Sequence, residues 1–386
     1  PSAHSGNRLV PAEHGAMRRL VPTYSGRAGM KIAVLTNDYP PHATGGAGVI
    51  AETQVQELQR RGQEVKVFYY PITFTNKSVF TRLVSHLFDL RAKTGIVDEI
   101  IAWQPEILLT HNLTGCGIGT PRAVKRQGIP WVHLLHDVQL IEPSGRIVSG
   151  ERFGVFRAVW RFAWSSLRRA ALGSPNEVIS PTRWLLEYHR SRGFFWSSKT
   201  DVIPNPLAKI DMETVTWDGR EPSILFVGRV DVDKGISILV RAWRSLGEAR
   251  PRLEVVGDGA WRARLEAMKD ERLVIRGPVP HDRIVSLMSR SRVVAVPSLV
   301  MENQPTVALE GLAAGCNVVA SDVGGVAETI GDAGHVVRAG SAEELATAIR
   351  EGVSNPPDLS RVARVLEMHQ LDVVVDALEG ALISNL

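Results

Sequence analysis

The strongest constraint on the fold is a repeated alternation of short apolar runs with segments of helical periodicity. Apolar runs of this length are typical of buried strands, and a helix between consecutive strands connects them in parallel. The runs fall at 31–36, 65–70, 107–110, 131–135 and 177–180, and then at 224–227, 253–256, 273–275, 293–296 and 317–320. The pattern predicts an α/β architecture in which parallel sheets are covered by helices on both faces.

The alternation is interrupted at Val202-Ile-Pro-Asn-Pro206, which indicates a boundary between two domains. A chain of 386 residues also exceeds the size at which single cores usually stop growing, about 250–300 residues. We therefore expect two Rossmann-like αβα domains, 30–205 and 206–371, facing a central cleft at the carboxyl ends of their strands. The last helical stretch, 372–386, is expected to pack on the second domain or to cross back to the first.

The composition excludes several classes of protein. A hydrophobic content of 44% excludes wholesale disorder, and no stretch approaches the ~18 uncharged apolar residues that a membrane span requires. Cys116 and Cys316 form neither a disulfide framework nor a cysteine-based metal site, and they fit a reducing cytosol. Residues 1–29 contain no apolar h-region, so we expect a disordered leader or a cloning remnant there, with Met30 as a natural start.

The net charge of +4 conceals a division between the two halves of the chain. Residues 1–205 carry 25 Lys+Arg and 15 Asp+Glu, a balance of +10, whereas residues 206–386 carry 20 and 26, a balance of −6. A basic half suits phosphates, an anionic bilayer or nucleic acid. Nucleic acid is the weakest of these, since no RNA- or DNA-binding motif accompanies the charge.

The segment from Glu302 to Glu310 combines two carboxylates with the start of a helix. It follows a predicted strand, and Pro305 suits the first helical turn, where its missing N–H is not needed. The free N–H groups of Thr306 and Val307 would then point into the cleft, which favours a phosphate group in geometry and in dipole sign. Each glutamate could accept hydrogen bonds from a ligand diol. A surface cap and a solvated helix residue are the structural alternatives for the two glutamates.

A second constellation, Gly228-Arg-Val-Asp-Val-Asp-Lys-Gly235, directly follows another predicted strand. Arg229 and Lys234 place two cations at the carboxyl end of that strand, where they can stabilise a departing nucleoside diphosphate as its charge develops. Two surface cations are the alternative. Asp231 and Asp233 superficially resemble a metal-binding pair, but no further carboxylate or histidine cluster completes a Mg²⁺ or Mn²⁺ shell. We therefore expect a loop salt bridge there.

Together with Gly257-Asp-Gly259 and Ser321-Asp-Val-Gly-Gly325, these two constellations resemble the donor half of the family-4 retaining glycosyltransferases, which have the GT-B fold and an E-x7-E motif. The resemblance spans nearly all of residues 31–340. One departure is Asn303-Gln-Pro305, which stands where many members carry a Gly-Phe-Gly-like turn. The sugar contact is therefore not fixed by the resemblance.

The resemblance implies a role for each matching residue of the second domain. Glu310 would hold the nucleotide ribose, Glu302 would contact the hydroxyls of the donor sugar, and the pair Arg229 and Lys234 would bind the diphosphate. The remaining residues expected to line the donor site are Gly228, Gly257, Asn303, Gln304, Thr306 and Val307.

The N-terminal half contributes glycines and histidines near strand ends. Gly45 and Gly46 belong to a glycine-rich loop between the first strand and the first helix, where glycine lets a ligand approach the backbone closely. The resemblance implies that both line the cleft near the transferred group, and that His136 contacts the donor sugar. His111 and Asn112 end another strand and are expected on the acceptor side. Packing or capping is the alternative for both histidines.

Residues 152–169 form a predicted amphipathic helix rich in arginine, tryptophan and phenylalanine. At ~100° per residue, one stripe of this helix is basic and the adjoining face is apolar. The basic stripe holds Arg157, Arg161 and Arg168 with Trp164, and the apolar face holds Phe153, Phe156, Val159, Trp160, Ala163 and Leu167. Such a helix can lie in the interface of an anionic membrane. Alternatively, Phe156, Trp160 and Leu167 dock on the sheet.

An NAD(P)-dependent oxidoreductase is the principal rival class, because Gly46-Ala-Gly-Val-Ile-Ala51 matches G-x-G-x-x-A. In that fingerprint the first glycine follows the strand almost at once, whereas nine residues separate Thr36 from Gly46. The acidic residue expected after the second strand is also replaced by Tyr69-Tyr70-Pro71. A sugar-nucleotide epimerase, a phosphorylase or a catalytically silent binding subunit remain alternatives on the same fold.

The sequence thus predicts a hexosyltransferase that moves a sugar from a nucleotide-diphosphate sugar to an acceptor hydroxyl, on a lipid-linked or cell-envelope glycan. Retention of configuration, through a front-face transfer, is implied by the resemblance alone. The donor is a UDP- or GDP-sugar, with UDP favoured, and no cofactor or metal is expected. The expected location is cytoplasmic, at the inner face of the cell membrane, with residues 152–169 contacting anionic lipid and no nucleic acid as partner.

Overall fold

The computed structural model describes residues 28–41, 46–70, 85, 87–142, 145–149, 155–207 and 215–386. Most of the predicted leader, residues 1–27, lies outside the described residues, as do Gly45 and residues 152–154. The described chain forms two six-stranded parallel sheets, one in each half. This confirms the predicted α/β architecture of two αβα domains.

The first sheet has the strand order β2-β1-β3-β4-β5-β6. Its strands are β1 (Lys31–Thr36), β2 (Glu64–Tyr69), β3 (Ile107–Thr110), β4 (Trp131–Leu134), β5 (Glu177–Ser180) and β6 (Lys199–Val202). The helices of this half are α1 (Gly46–Arg60), α2 (Thr94–Ala102), α3 (Thr120–Lys125), α4 (Val155–Leu172) and α5 (Arg183–Arg190). Strand β1 is buried on both faces, because Ala33 and Leu35 pack towards α2 while Ile32 and Val34 pack towards α1.

The second sheet has the strand order β12-β11-β10-β7-β8-β9. Its strands are β7 (Glu221–Val227), β8 (Arg252–Val256), β9 (Leu273–Gly277), β10 (Ser291–Val296), β11 (Asn317–Ser321) and β12 (His335–Val337). Its helices are α6 (Ile236–Ser245), α7 (Arg262–Glu266), α8 (His281–Arg290), α9 (Thr306–Ala313), α10 (Val326–Ile330), α11 (Ala342–Ser354) and α12 (Leu359–Glu367). Helices α6 and α11 cover one face, and α8, α9, α10 and α12 cover the other.

The last helix, α13 (Leu371–Ile383), crosses back to the first domain. Val374, Val375 and Leu378 pack with Ile32 and Val34 of β1, on the same face as α1. Ionic contacts strengthen the attachment, since Arg61 donates to Glu379 at 2.9 Å and Gln63 donates to the other oxygen of that carboxylate at 2.9 Å. Of the two placements expected for this helix, the structure has the one across the linker.

All the predicted strands are present, and two further strands, β6 and β12, were not predicted. Both lie at a sheet edge, where only one neighbour covers them. No residue of β6 is fully buried, and only Val337 of β12 is. These two edge strands therefore lack the apolar run by which the other strands were predicted.

Candidate active site

The carboxyl ends of the two sheets face each other across a cleft. Asn303 follows β10, and its side-chain amide donates to the backbone carbonyl of His136 after β4 at 3.0 Å. Its amide oxygen accepts a hydrogen bond from the hydroxyl of Thr182 after β5 at 2.7 Å. These contacts join loops that follow strands of both sheets, so ligand-binding groups at the strand ends of either domain lie in one cleft.

The loop after β7 presents a guanidinium that is fixed by two carboxylates. Arg229 donates from Nη1 to Asp231 and from Nη2 to Asp233, each at 2.9 Å. The second oxygen of Asp231 accepts from the backbone N–H of Ala260 at 2.9 Å. The loop salt bridge predicted for Asp231 and Asp233 is therefore confirmed, and among the described residues neither belongs to a metal-ligating cluster.

Lys234, the second predicted cation, pairs with the first glutamate of the E-x7-E motif. Its Nζ lies 2.5 Å from Oε1 of Glu302, and the same oxygen accepts from the hydroxyl of Ser298 at 2.7 Å. The backbone carbonyl of Glu302 accepts from the N–H of Gly325 at 2.9 Å. Lys234 and Glu302, which lie 68 positions apart in the sequence, are thus brought together at the predicted donor site.

Close backbone approaches explain why glycine occupies several motif positions. Gly257 has φ +127°, and a Cβ there would lie 1.9 Å from the carbonyl oxygen of Gly228. Gly324 has φ +64°, and its Cβ would lie 2.0 Å from the carbonyl oxygen of Glu302. An L-residue fits neither position, because both the backbone angle and the available space exclude it. Glycine at these two positions therefore permits the close packing of the strand-end loops, and this requirement is independent of any ligand.

The second glutamate of the motif lies on α9, which begins at Thr306 after the N-cap residue Pro305. The first N–H groups of an α-helix have no intrahelical acceptor, so the start of α9 offers donors to an anion. The Glu310 side chain is largely buried, and its Oε1 lies 3.3 Å from Nε2 of His281, the first residue of α8. The sequence interpretation missed His281, although it follows the carboxyl end of β9, where ligand-binding residues of such sheets collect.

The side chains of Asn303 and Gln304 do not behave as expected of donor-binding groups. Asn303 is engaged with the first domain, as described above. Gln304 is buried, accepts from the N–H of Asn205 at 2.9 Å and donates to the carbonyl of the same residue at 3.1 Å. It also lies 3.2 Å from Nδ1 of His369. Both side chains therefore connect the domains and the linker, and only backbone groups at these positions remain for a donor.

The first domain presents a pair of stacked histidines at the ends of β3 and β4. Nδ1 of His111 lies 2.9 Å from Nε2 of His136, and the ring centroids are 5.1 Å apart. Burial lowers the pKa of His136 to about 4 and that of His111 well below its ordinary value, and the neighbouring ring lowers the latter further. Both rings are neutral at pH 7. Asp137 follows directly, and burial raises its pKa to about 6.

A small cavity of about 20 Å³ lies beside the histidine pair, lined by Asn112, Asp137 and Arg168 among others. That volume holds about one water molecule. Gly46 is the exposed first residue of α1, and among the described residues nothing lies within 4 Å of a Cβ built on it. The ligand contact predicted for Gly46 stays a prediction.

Helix α4 buries part of its basic stripe and exposes part of its apolar face. Arg168 is 1% exposed and Trp164 is buried with it, while Arg161 pairs with Glu142 at 3.0 Å. The apolar residues Val159, Trp160, Phe162 and Leu167 are exposed instead, Phe162 by 72%. The alternative that Trp160 and Leu167 dock on the sheet is wrong; Phe156 and Arg157 have side chains outside the described part. In the described ranges, no helix combines the length and hydropathy needed to cross a bilayer.

Two αβα domains facing a cleft, with paired cations and two glutamates on one wall, define a two-domain glycosyltransferase of the GT-B type. Family models agree over both halves: the model described as Glycosyltransferase Family 4 matches residues 44–208, and the model described as Glycosyl transferases group 1 matches residues 221–355. The two parallel sheets and the two family models thus agree with the predicted fold.

The chain is 33% identical to the D-inositol 3-phosphate glycosyltransferase of Rhodococcus jostii, over 88% of this chain and 85% of that protein. It is 25% identical to TuaC of Bacillus subtilis, a glycosyltransferase assigned to teichuronic acid biosynthesis, over 83% and 88%. Among solved structures, Anabaena HepE in complex with UDP has a TM-score of 0.64 at 18% identity, over 92% and 100%. The protein belongs to the group 1, family-4 glycosyltransferases.

Proposed function

We propose that this glycosyltransferase moves a hexosyl group, with retention of configuration, from a nucleotide-diphosphate sugar to an acceptor hydroxyl. The observation that carries the proposal is the arrangement of Arg229, Lys234 and the start of α9 around one end of the cleft. Two cations and a helix N-terminus supply the charge that a diphosphate needs, so the proposal includes no metal and no cofactor. UDP is favoured over GDP as the nucleotide.

The resting contacts imply that donor binding exchanges ion pairs. Arg229 is held by Asp231 and Asp233, and Lys234 by Glu302. A diphosphate would take over both cations, which releases the Glu302 carboxylate to accept hydrogen bonds from the hydroxyls of the sugar. Glu310, beside His281, is assigned to the ribose diol. Gly228, Gly257, Thr306 and Val307 are proposed to contribute backbone groups at the phosphates.

The proposed transfer is a front-face displacement. The bond from the anomeric carbon to the diphosphate oxygen breaks, and a bond from the same carbon to the acceptor oxygen forms on the same face. The departing diphosphate oxygen takes the proton of the acceptor hydroxyl, so the products are the glycoside and the nucleoside diphosphate. Arg229 and Lys234 stabilise the charge on the leaving group as it develops. His136 is assigned to the sugar, and His111 and Asn112 to the acceptor side.

A lipid-linked or cell-envelope glycan is the proposed acceptor. One relative is assigned to teichuronic acid biosynthesis and another acts on an inositol phosphate, and both support the proposal by analogy. The exposed apolar face of α4 gives independent support, because Trp160 and Phe162 are side chains that enter a membrane interface. We propose that this face contacts the membrane at the cytoplasmic side.

Binding to vesicles tests the membrane contact. Sedimentation with vesicles of one-third phosphatidylglycerol in phosphatidylcholine should decrease in Phe162→Ser and Trp160→Ser. A matched control is Leu359→Ser, which removes an exposed apolar side chain at the start of α12 in the second domain. Equal sedimentation of all four proteins would contradict the membrane contact and leave the transfer reaction untouched.

A thermal-shift screen with UDP-, GDP- and ADP-sugars tests the donor assignment. We expect stabilisation by one nucleotide class, absent in Glu310→Ala and reduced in Lys234→Ala. Glu343→Ala, which removes an exposed carboxylate from α11, is the matched control. If both site variants bind as the wild type does, the donor site is assigned wrongly. With a competent acceptor, the anomeric configuration of the product by NMR decides between retention and inversion.

A further inference from the structure

A short segment of the first domain pairs with the loop that precedes Glu302. Val148 forms an antiparallel bridge with Val300. Two backbone hydrogen bonds flank the bridge: the N–H of Ser149 donates to Leu299 at 2.7 Å, and that of Met301 donates to Ile147 at 2.7 Å. The segment is therefore fixed against the donor wall by main-chain contacts, which do not depend on the identity of the side chains.

The bridge brings Arg146 of the first domain to the cations of the second. Nη1 of Arg146 lies 3.6 Å from Oδ2 of Asp233, the same oxygen to which Arg229 donates at 2.9 Å. The backbone carbonyl of Asp233 accepts from the N–H groups of Leu299 and Val300 at 2.8 and 3.0 Å. One aspartate thus holds the loop through its backbone and faces two guanidinium groups with its side chain.

The two guanidiniums compete for one carboxylate oxygen. The other oxygen of Asp233 is buried and makes no hydrogen bond to the described residues. A phosphate offers two acceptor oxygens on one group to an arginine fork, so two neighbouring guanidinium groups suit a phosphorylated ligand. The Arg146 side chain is 55% exposed.

We propose that Arg146 is a third phosphate-binding cation of the active site, contributed by the first domain. The proposal rests on the proposed function, because it assumes that Arg229 and Lys234 bind a diphosphate. Phosphate oxygens could come from the donor diphosphate or from a phosphate group on the acceptor, and the recognition chemistry is the same. Arg146 would add a third positive charge beside Arg229 and Lys234, near the carboxylates of Asp231, Asp233 and Glu302.

Titration calorimetry with UDP at low ionic strength tests the proposal. Arg146→Gln should weaken UDP binding about fivefold to tenfold, the effect of one charge-assisted contact at a partly exposed site. Arg146→Lys should recover part of the loss, because it keeps the charge without the fork. Arg126→Gln, which removes an exposed charge at the end of α3, should bind UDP as the wild type does.

A second arm separates the two sources of phosphate. If Arg146→Gln binds UDP normally but no longer binds inorganic phosphate in the presence of saturating UDP, Arg146 serves an acceptor phosphate. If neither affinity changes, the proposal is overturned. Lys234→Ala is measured in parallel: a weakened Lys234→Ala beside a normal Arg146→Gln refutes only the role of Arg146, whereas two normal variants refute the donor site as well.

Discussion

The ion pair between Lys234 and Glu302 leads to a prediction whose sign is diagnostic. In the resting site Nζ of Lys234 lies 2.5 Å from the carboxylate, and under the proposed function UDP takes that cation over. UDP carries no sugar, so it offers no hydroxyl groups to the released Glu302 carboxylate. We therefore expect Glu302→Gln, a substitution in the binding site itself, to bind UDP more tightly than the wild-type protein does.

The magnitude follows from the contacts that the carboxylate makes at rest. Both side chains are mostly buried, and hydrogen bonds to charged groups contribute about 1.5–3 kcal/mol when well formed. The amide oxygen of the substituted side chain would keep part of the contact with Lys234, so a net gain of about 1 kcal/mol in UDP binding is expected. This corresponds to roughly fivefold tighter binding. Loss of the proposed contact between the Glu302 carboxylate and the sugar hydroxyls should slow transfer by about 10²-fold.

Titration calorimetry at low ionic strength measures the UDP affinity, and initial rates with a competent donor measure transfer. Glu343→Gln removes one negative charge from an exposed site on α11 and controls for net charge. Ser298→Ala removes an uncharged donor to the same Glu302 oxygen, leaves the ion pair with Lys234 in place, and should change UDP affinity little. Weaker or unchanged UDP binding in Glu302→Gln would refute the exchange of ion pairs.

Three further predictions concern stability. Gly235→Ala should lower the thermal midpoint by several degrees and abolish transfer, because φ is +75° and the new Cβ would lie 1.7 Å from a backbone carbonyl oxygen. Gln304→Ala should destabilise the protein by about 1–3 kcal/mol in denaturant titration, because the buried N–H of Asn205 loses its acceptor and the carbonyl of Asn205 keeps only its contact with His369. The free energy of unfolding should fall as the pH drops from about 6.5 to 4, because burial lowers the pKa of His133 to about 3. In this pH range the unfolded chain binds a proton at His133 that the folded protein does not bind, which lowers the free energy of unfolding by about 1.4 kcal/mol per pH unit. Asp137 acts in the opposite direction, because burial raises its pKa to about 6 and the folded protein therefore binds one proton there before the unfolded chain does.

Much of the fold followed from the sequence because burial on both faces imposes continuous apolar runs. The central strands, such as β1 and β10, are the clearest examples, since their residues are almost all buried. Helix α4 shows the limit of this reasoning. Composition left open whether its apolar face meets a membrane or the sheet; in the structure Trp160 and Leu167 are exposed, while Arg168 is buried and donates to the backbone carbonyl of Gln139. Periodicity defines two faces of a helix but does not determine which one packs.

For the proposed donor site, the sequence suggested candidate residues but not most of the contacts that they make. Arg229, Lys234, Glu302 and Glu310 were identified from local spacing, because strand ends and helix starts have local signatures. The contacts of Glu302 with Lys234 and of Glu310 with His281 depend on which loops meet, whereas Arg229 pairs within its own loop, where a salt bridge was predicted. Arg146 carries no local signature at all, because it reaches Asp233 only through the bridge between the two domains.

Glu302 and Asn303, which are adjacent in the loop after β10, contact different domains. Glu302 belongs to the donor site through Lys234, whereas Asn303 is bonded to Thr182 and to the backbone after β4 in the first domain. A second interdomain contact lies nearby, since the Glu328 carboxylate accepts from the first two N–H groups of α5, both at 2.7 Å. Separation of the domains cannot leave Glu302 undisturbed, because a single peptide bond joins it to Asn303. The interdomain contacts of Asn303 and the ion pair of Glu302 with Lys234 are therefore separated by one peptide bond, and the Asn303 and Gln304 side chains tie this turn to the first domain and to the linker.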